Sequence, residues 1–248
     1  MSAPVLLVVP TLGRRLDFLQ QTLDSIAAQD VAADVVLVTP RDATAARDLA
    51  AERGARVVDD PGSLPAAVNV GVATAGPDHR YVNWIGDDDL LAPGSLASTT
   101  RALSADPGRV VAYGACAYID DQGRHLWTSQ AGRWAQRILP WGPDLIPQPG
   151  MLVRLDAWQA VGGVDASLRF AFDLDLLLKV SVAVLPLALV LVLVLVAARI
   201  GVDHAPAQNL DQAVVHGKAP PPGGWLAAGG PWLMATGCSG RRNRQSAR

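Results

Sequence analysis

The sequence predicts an α/β domain built on a mostly parallel sheet with helices on both faces. Short apolar runs alternate with segments of helical period through the first half of the chain. Glycine, proline and small polar residues punctuate them. At 248 residues the chain is also long enough for one sizeable core.

Each element follows from local chemistry. Val5–Val9 is an unbroken apolar run between Pro4 and Pro10. It has no basic stretch before it, so it reads as a buried strand and not a signal peptide. Arg15–Gln29 reads as a helix, because Leu16, Leu19, Leu23 and Ile26 recur at steps of three and four. Asp34–Val38 is a second strand, Ala43–Arg53 a helix stopped by Gly54, and Arg56–Val58 a third strand. Ser63–Ala73 is a helix with Ser63 placed to cap it and Pro65 in its first turn. Arg80–Ile85 is a fourth strand. Pro93–Leu103 is then a helix and Arg109–Ile119 a strand, with a turn at "DDQGR". "MLVRL" is a strand, and "DAWQAVGG" is a short helix ended by Gly162 and Gly163. "FAFDLDLLLKV" opens a helix with Asp173 and Asp175 in its first turn.

Composition excludes some classes. The net charge is -2, which gives no general reason to expect nucleic-acid binding. The basic tail "RRNRQSAR" is short and reads as a solvated end. The two cysteines, Cys116 and Cys238, form no metal-ligand spacing and no disulfide framework. His204 and His216 read as surface residues. Trp84, Trp134 and Trp141 suit either packing or sugar stacking.

In a parallel sheet, ligands collect at the carboxyl ends of the strands. Those ends are Pro10-Thr11, Thr39-Pro40, Asp59-Asp60 and the triplet Asp87–Asp89. Three adjacent carboxylates repel one another unless something positive sits among them. Mg²⁺ or Mn²⁺ takes hard oxygen ligands and is commonly held by one or two carboxylates plus substrate phosphates. Asp87 and Asp89 suit that arrangement. A solvated loop in which Asp88 or Asp89 caps the next segment suits the same residues.

Four stretches in order, "VVPTLGRRLDFLQQTLDSIAAQ", "GSLPAAVNVGVATA", "YVNWIGDDDLLAPGSL" and "IPQPGMLVRLDAWQAVGGVDASLRFAFDLDLLLK", resemble the family 2 glycosyltransferases. The resemblance covers roughly residues 4–180. It implies the GT-A fold, a Rossmann-like sheet, and transfer of a sugar from a nucleotide-diphosphate donor to an acceptor hydroxyl, with Mg²⁺ or Mn²⁺. It places Pro10, Thr11, Arg15, Asn69 and Asp88 on the nucleotide side and Asp87 and Asp89 on the metal. Gln148, Pro149 and Gly150 fall on the acceptor side. Asp173 falls where inverting members keep their general base, which deprotonates the attacking hydroxyl. The acceptor is then a glycan, a lipid or another hydroxyl compound.

The chain departs from the family pattern in three places. Thr39 stands where relatives carry an acid that contacts the nucleotide base, with Asp42 three residues on. Gly86 stands where many relatives begin the acidic motif. Beyond residue 180 the resemblance stops. Val180–Ala198 is 19 residues without a charge, and 200–248 reads as a low-order tail. The apolar run has three readings: a membrane anchor on a cytoplasmic domain, a segment completing the core, or a continuation in a shifted reading frame. At ~1.5 Å per residue it is long enough to cross a bilayer.

Competing functions are a non-catalytic relative that binds nucleotide only, and a sugar-phosphate nucleotidyltransferase. The second needs a glycine-rich basic loop after the first strand, and "PTLGRR" has one glycine. A dehydrogenase would need G-x-G-x-x-G there, and it is absent.

Overall fold

The computed structural model describes residues 3–120, 122–129, 135, 139, 146–183 and 237–241. Among these, β1 (Val5–Pro10), β2 (Ala33–Thr39), β3 (Arg56–Asp59) and β4 (Tyr81–Trp84) run parallel in the order β3-β2-β1-β4. β9 (Leu152–Arg154) joins β4 antiparallel, and β6 (Val111–Ala112) closes that side against β9. The helices between the parallel strands are α1 (Leu16–Ala27), α2 (Thr44–Glu52) and α3 (Leu64–Val72). Then come α4 (Ser95–Ser104), α5 (Leu155–Ala160) and α6 (Phe172–Ala183).

Both faces of the sheet are buried, which is why its strands read as continuous apolar runs. Leu6, Val8, Val36, Val38, Val82 and Trp84 face α3, α5 and α6. Val5, Leu7, Val9, Leu37 and Ile85 face the other side, against Leu19, Leu23 and Ile26 of α1, Ala46 and Ala50 of α2, and Leu96 and Leu103 of α4.

A second sheet has the order β5-β10-β7-β8. β5 is Leu90–Leu91, β7 Ala115–Ile119, β8 His125–Ser129 and β10 Gly237–Arg241. The predicted strand Arg109–Ile119 is therefore two strands in different sheets, parted at Tyr113-Gly114. β8 has no counterpart in the sequence reading. Four of its five residues are exposed, so no apolar face marks it. It forms as the return arm of a hairpin, with the Asp120 and Arg124 backbones bonded across the turn at 3.0 Å. Gly237–Arg241, within the segment expected as a low-order tail, is a strand parallel to β7.

The apolar run at 180–198 begins inside α6, where Val180 is fully buried in the core. Residues 184–198 lie outside the described residues. Among the described residues no helix is long and apolar enough to cross a membrane.

One close approach sets the position of α3. A Cβ at Gly71 would run into both methyl groups of Val8 on β1. Gly71→Val is expected to destabilise the domain by about 1–3 kcal/mol through overpacking. Urea unfolding measures this; an unchanged midpoint would show that α3 shifts freely.

Candidate functional site

The strand order reverses between β1 and β4: the chain steps from β1 outward to β3, then returns to the other side of β1. A crevice at the carboxyl ends is expected at such a point. β1 stops at Pro10, and the Thr11 N–H still donates to the Val38 carbonyl at 2.9 Å. β4 stops at Trp84, and the Ile85 N–H donates to the Val8 carbonyl at 2.9 Å. The two loops that follow therefore start side by side.

They are joined by side chains. The Thr11 hydroxyl donates to Asp87 Oδ2 at 2.5 Å. The Arg15 guanidinium bridges two acids, bonding Asp87 Oδ1 with one nitrogen and Asp88 Oδ2 with the other at 2.6 Å. Partial burial works against the charge on Arg15, but the hydrogen bond it donates to Asp88 and the fields of both acids outweigh it, so its pKa is raised.

The third acid behaves differently. Burial of the Asp89 carboxyl, followed by the nearby charge of Asp88, pushes its pKa from the ordinary 3.8 to about 7. A backbone hydrogen bond from Gly86 opposes this without cancelling it. The Asp89 carbonyl accepts from Thr22 of α1 at 2.8 Å, which pins the loop.

Gly86 now has a physical reason. A Cβ there would lie 2.9 Å from Asp89 Oδ2 and 3.1 Å from Asp88 Oδ1. Two carboxylate oxygens face the space that its missing side chain leaves. Asp87, expected as a metal ligand, has both oxygens turned to Thr11 and Arg15. Asp88, expected on the nucleotide, faces the space over Gly86 together with Asp89. Among the described residues no group of three metal-ligating side chains converges. Two carboxylates are within the usual Mg²⁺ donor set, the rest coming from water and phosphate. The oxygens of Asp88 and Asp89 fit it.

Beside the triplet lies an open cavity of about 550 Å³. Pro10, Thr11, Leu12, Arg14 and Arg15 form one wall, Val38 and Asp60 the strand ends, Gly62 to Ala67 the start of α3, and Asp87 the inner corner. Pro10, Thr11 and Arg15, expected on the nucleotide side, line this cavity, and Asn69, expected there too, is not among its lining residues. Its amide donates to the Val164 carbonyl at 2.8 Å and accepts from the Val164 N–H at 3.2 Å. It ties α3 to the segment after α5, a structural use of a polar helix residue.

The Gln148-Pro149-Gly150 loop, expected on the acceptor side, is fastened to β4. The buried Asn83 donates to the Gln148 and Pro149 carbonyls at 3.0 and 3.2 Å, and the Gln148 amide donates to the Trp84 carbonyl. Asn83 was not singled out from sequence, although an amide inside the apolar run "YVNWI" is a signal. Trp84 lies tilted against Phe172, ring centroids 5.7 Å apart, and meets Trp158 edge-on at 6.1 Å. Trp84 is therefore packing, and its contact holds the start of α6 against the end of β4. Asp173 follows Phe172 there and accepts from the Leu174 N–H at 2.9 Å. Asp175 is engaged by Lys179 at 2.7 Å. Ala171, just before α6, has φ +56°, a conformation costly for a non-glycine residue.

The same architecture is found in solved structures. S. aureus TarS, residues 1–349, in complex with UDP-GlcNAc, matches with a TM-score of 0.52 at 17% identity over 73% of this chain and 53% of that one. The mannosyltransferase PcManGT from Pyrobaculum calidifontis, in complex with GDP-Man and Mn²⁺, matches with a TM-score of 0.50 at 20% identity. It too is covered over 52% of its length by 73% of this chain. The chain has the GT-A fold. It spans about half the length of these structures. No family model and no curated protein sequence matches it.

The raised pKa of Asp89 sets a pH dependence. The folded chain keeps a proton on Asp89 in a range where the unfolded chain has lost it. Stability is therefore expected to fall as pH rises from about 4 to about 7. Asp89→Asn should flatten this slope and raise the melting temperature above pH 7, with little change near pH 4. Thermal unfolding across pH tests it; parallel curves for the two proteins would remove the buried-acid description.

Proposed function

We propose that this chain is a glycosyltransferase that moves a sugar from a nucleotide-diphosphate donor to an acceptor hydroxyl, with a divalent cation and with inversion. The observation that carries the reading is the Thr11–Asp87–Arg15–Asp88 cluster at the switch point, opening onto a cavity of about 550 Å³. A cavity of that size suits a nucleotide. The solved structures of like fold support it, since one is described with UDP-GlcNAc and another with GDP-Man and Mn²⁺.

The roles follow from position. Asp88 and Asp89 would hold Mg²⁺ or Mn²⁺, whose charge neutralises the leaving diphosphate. Arg15, bound to Asp87 and Asp88 and more than a third exposed, would meet the same phosphates. Asp87 orients Arg15 and Thr11. Asp173 is in the first turn of α6, where Lys179 engages the other acid, Asp175. Asp173 would take the proton of the attacking hydroxyl. Gln148, Pro149 and Gly150 shape the acceptor side through their bonds to Asn83 and Trp84. The domain doing this is assigned to residues 1–180, with α6 completing it.

The test is direct. UDP- and GDP-sugars are expected to raise the melting temperature, more so with Mn²⁺ than without. Donor hydrolysis should fall about 10²-fold or more in Asp173→Asn, with nucleotide binding retained. Binding with no turnover in wild type would leave a nucleotide-binding protein only. Hydrolysis unaffected by Asp173→Asn would take the base role from that residue.

A further inference from the structure

We propose that Cys116 and Cys238, the two cysteines of the chain, form a disulfide that staples β10 to β7. The bond does not depend on the nucleotide reading of the cavity, and either can fail without the other.

Strand register carries the proposal. β10 pairs parallel with β7, from Gly237 opposite Ala115 to Arg241 opposite Ile119. Within that ladder Cys238 is opposite Cys116. Neighbouring strands lie about 4.7–4.9 Å apart, and a disulfide spans Cα atoms about 4.4–6.8 Å apart. Residues paired at one register position also share a face of the sheet, whereas a slip of one residue would send the two cysteines to opposite faces. The ladder continues on both sides of the pair, so the pair is inside it and not at its end. No spacing in the sequence announces this, because the pairing arises only when residues 237–241 return to the second sheet.

The composition of β10 is the second observation. Its sequence is "GCSGR", with two glycines, a serine and no large apolar side chain. Glycine and serine are poor strand formers, and glycine adds nothing to pack. Yet β10 holds the middle of the sheet. On one edge it pairs with β7, and on the other Cys238 is opposite Leu91 and Ser239 opposite Leu90 of β5. Leu90 directly follows Asp89, so β10 is the strand that joins the exit of the acidic triplet to the β7–β8 hairpin. Backbone hydrogen bonds alone contribute modestly to keeping such a strand in place. A covalent bond to Cys116, a thiol that is 4% exposed, supplies the anchor that the side chains of β10 do not.

The oxidant is a small-molecule disulfide, and the chemistry is thiol–disulfide exchange. The Cys238 thiolate attacks the disulfide, forming a mixed disulfide and releasing one small thiol. The Cys116 thiolate then attacks the Cys238 sulfur, forming the protein bond and releasing the second small thiol. One S–S bond breaks and one forms. The two protein thiols give up two electrons and two protons, and both released thiols carry them away. Cys238 takes the first step because Cys116 is buried, and the segment that carries Cys238 brings the mixed disulfide to it on pairing with β7. The reverse reaction needs β10 to leave β7, so a reductant removes the bond slowly from the folded chain.

The experiment equilibrates the full chain with oxidised and reduced glutathione at a series of ratios, folded and in urea, then alkylates it and maps the cysteine peptides by mass spectrometry. Folded chain should form the Cys116–Cys238 bond at about 100-fold less oxidised glutathione than unfolded chain needs. The oxidised chain should melt about 4 °C or more above the reduced chain, and Cys238→Ser should abolish that difference. A register control combines Cys238→Ser with Ser239→Cys, which sets the thiol opposite Ala117 on the other face. This variant should form the bond no more readily folded than unfolded. Folded wild type that needs as much oxidant as unfolded chain, or that ends as mixed disulfides or linked dimers, overturns the proposal. Cross-linking of the register control as readily as wild type also overturns it, because residues 237–241 would then not be held in this register.

Discussion

The bridge of Arg15 across Asp87 and Asp88 is the interaction on which the rest of the site depends. Its parts come from loops 73 residues apart, brought together because β1 and β4 are parallel neighbours. Asp87 is nearly buried, with its side chain 10% exposed, and the Thr11 hydroxyl donates to it. Paired, this charge is tolerated. Left without its partner it would carry the full desolvation cost of a buried carboxylate. The bridge thus fixes the corner of the cavity and decides which oxygens remain open to a ligand.

Three adjacent acids have three fates because they leave the strand at different depths. Asp87 turns to the β1 loop, Asp88 spans from Arg15 to the space over Gly86, and Asp89 is folded under the same glycine. The repulsion among them is visible in Asp89, whose pKa near 7 comes from burial and from Asp88. The protein answers one part of the repulsion with a guanidinium and leaves the other part as a pair of carboxylates facing a gap. Such a gap suits a divalent cation, whose charge would draw the Asp89 pKa back down.

Much of this was legible in the sequence. The alternation of apolar runs and helical periods gives the parallel strands and their helices within a residue or two, because burial on both faces forces that pattern. The strand-end rule points to the aspartates before any fold is known. Side-chain direction was not legible. Asn69 fits a pocket-facing residue by motif, yet its amide is satisfied by the Val164 backbone, a contact 95 residues away that no local pattern encodes. Gly86 reads as a missing acid, yet it is the space that lets Asp88 and Asp89 approach. β8 is exposed along most of its length, so its existence depends on pairing with β7 and not on its own composition.

Parity along the strands links these cases. Neighbouring residues at a strand end go to opposite sides, so one position decides between core, surface and ligand. Val38 borders the cavity and Thr39 is buried behind it. Asp59 goes out to Arg41 and Arg47, while Asp60 goes in. A polar residue at position 39 has to suit the packing of α1 and α2 against the sheet, and a threonine does so at far lower cost than a carboxylate. Once that position is apolar in surroundings, the sheet offers β3 as the next strand end bordering the same cavity. The acid there is one hydrogen bond away from the Thr39 backbone, so the same register that buries Thr39 sets Asp60 on the cavity wall.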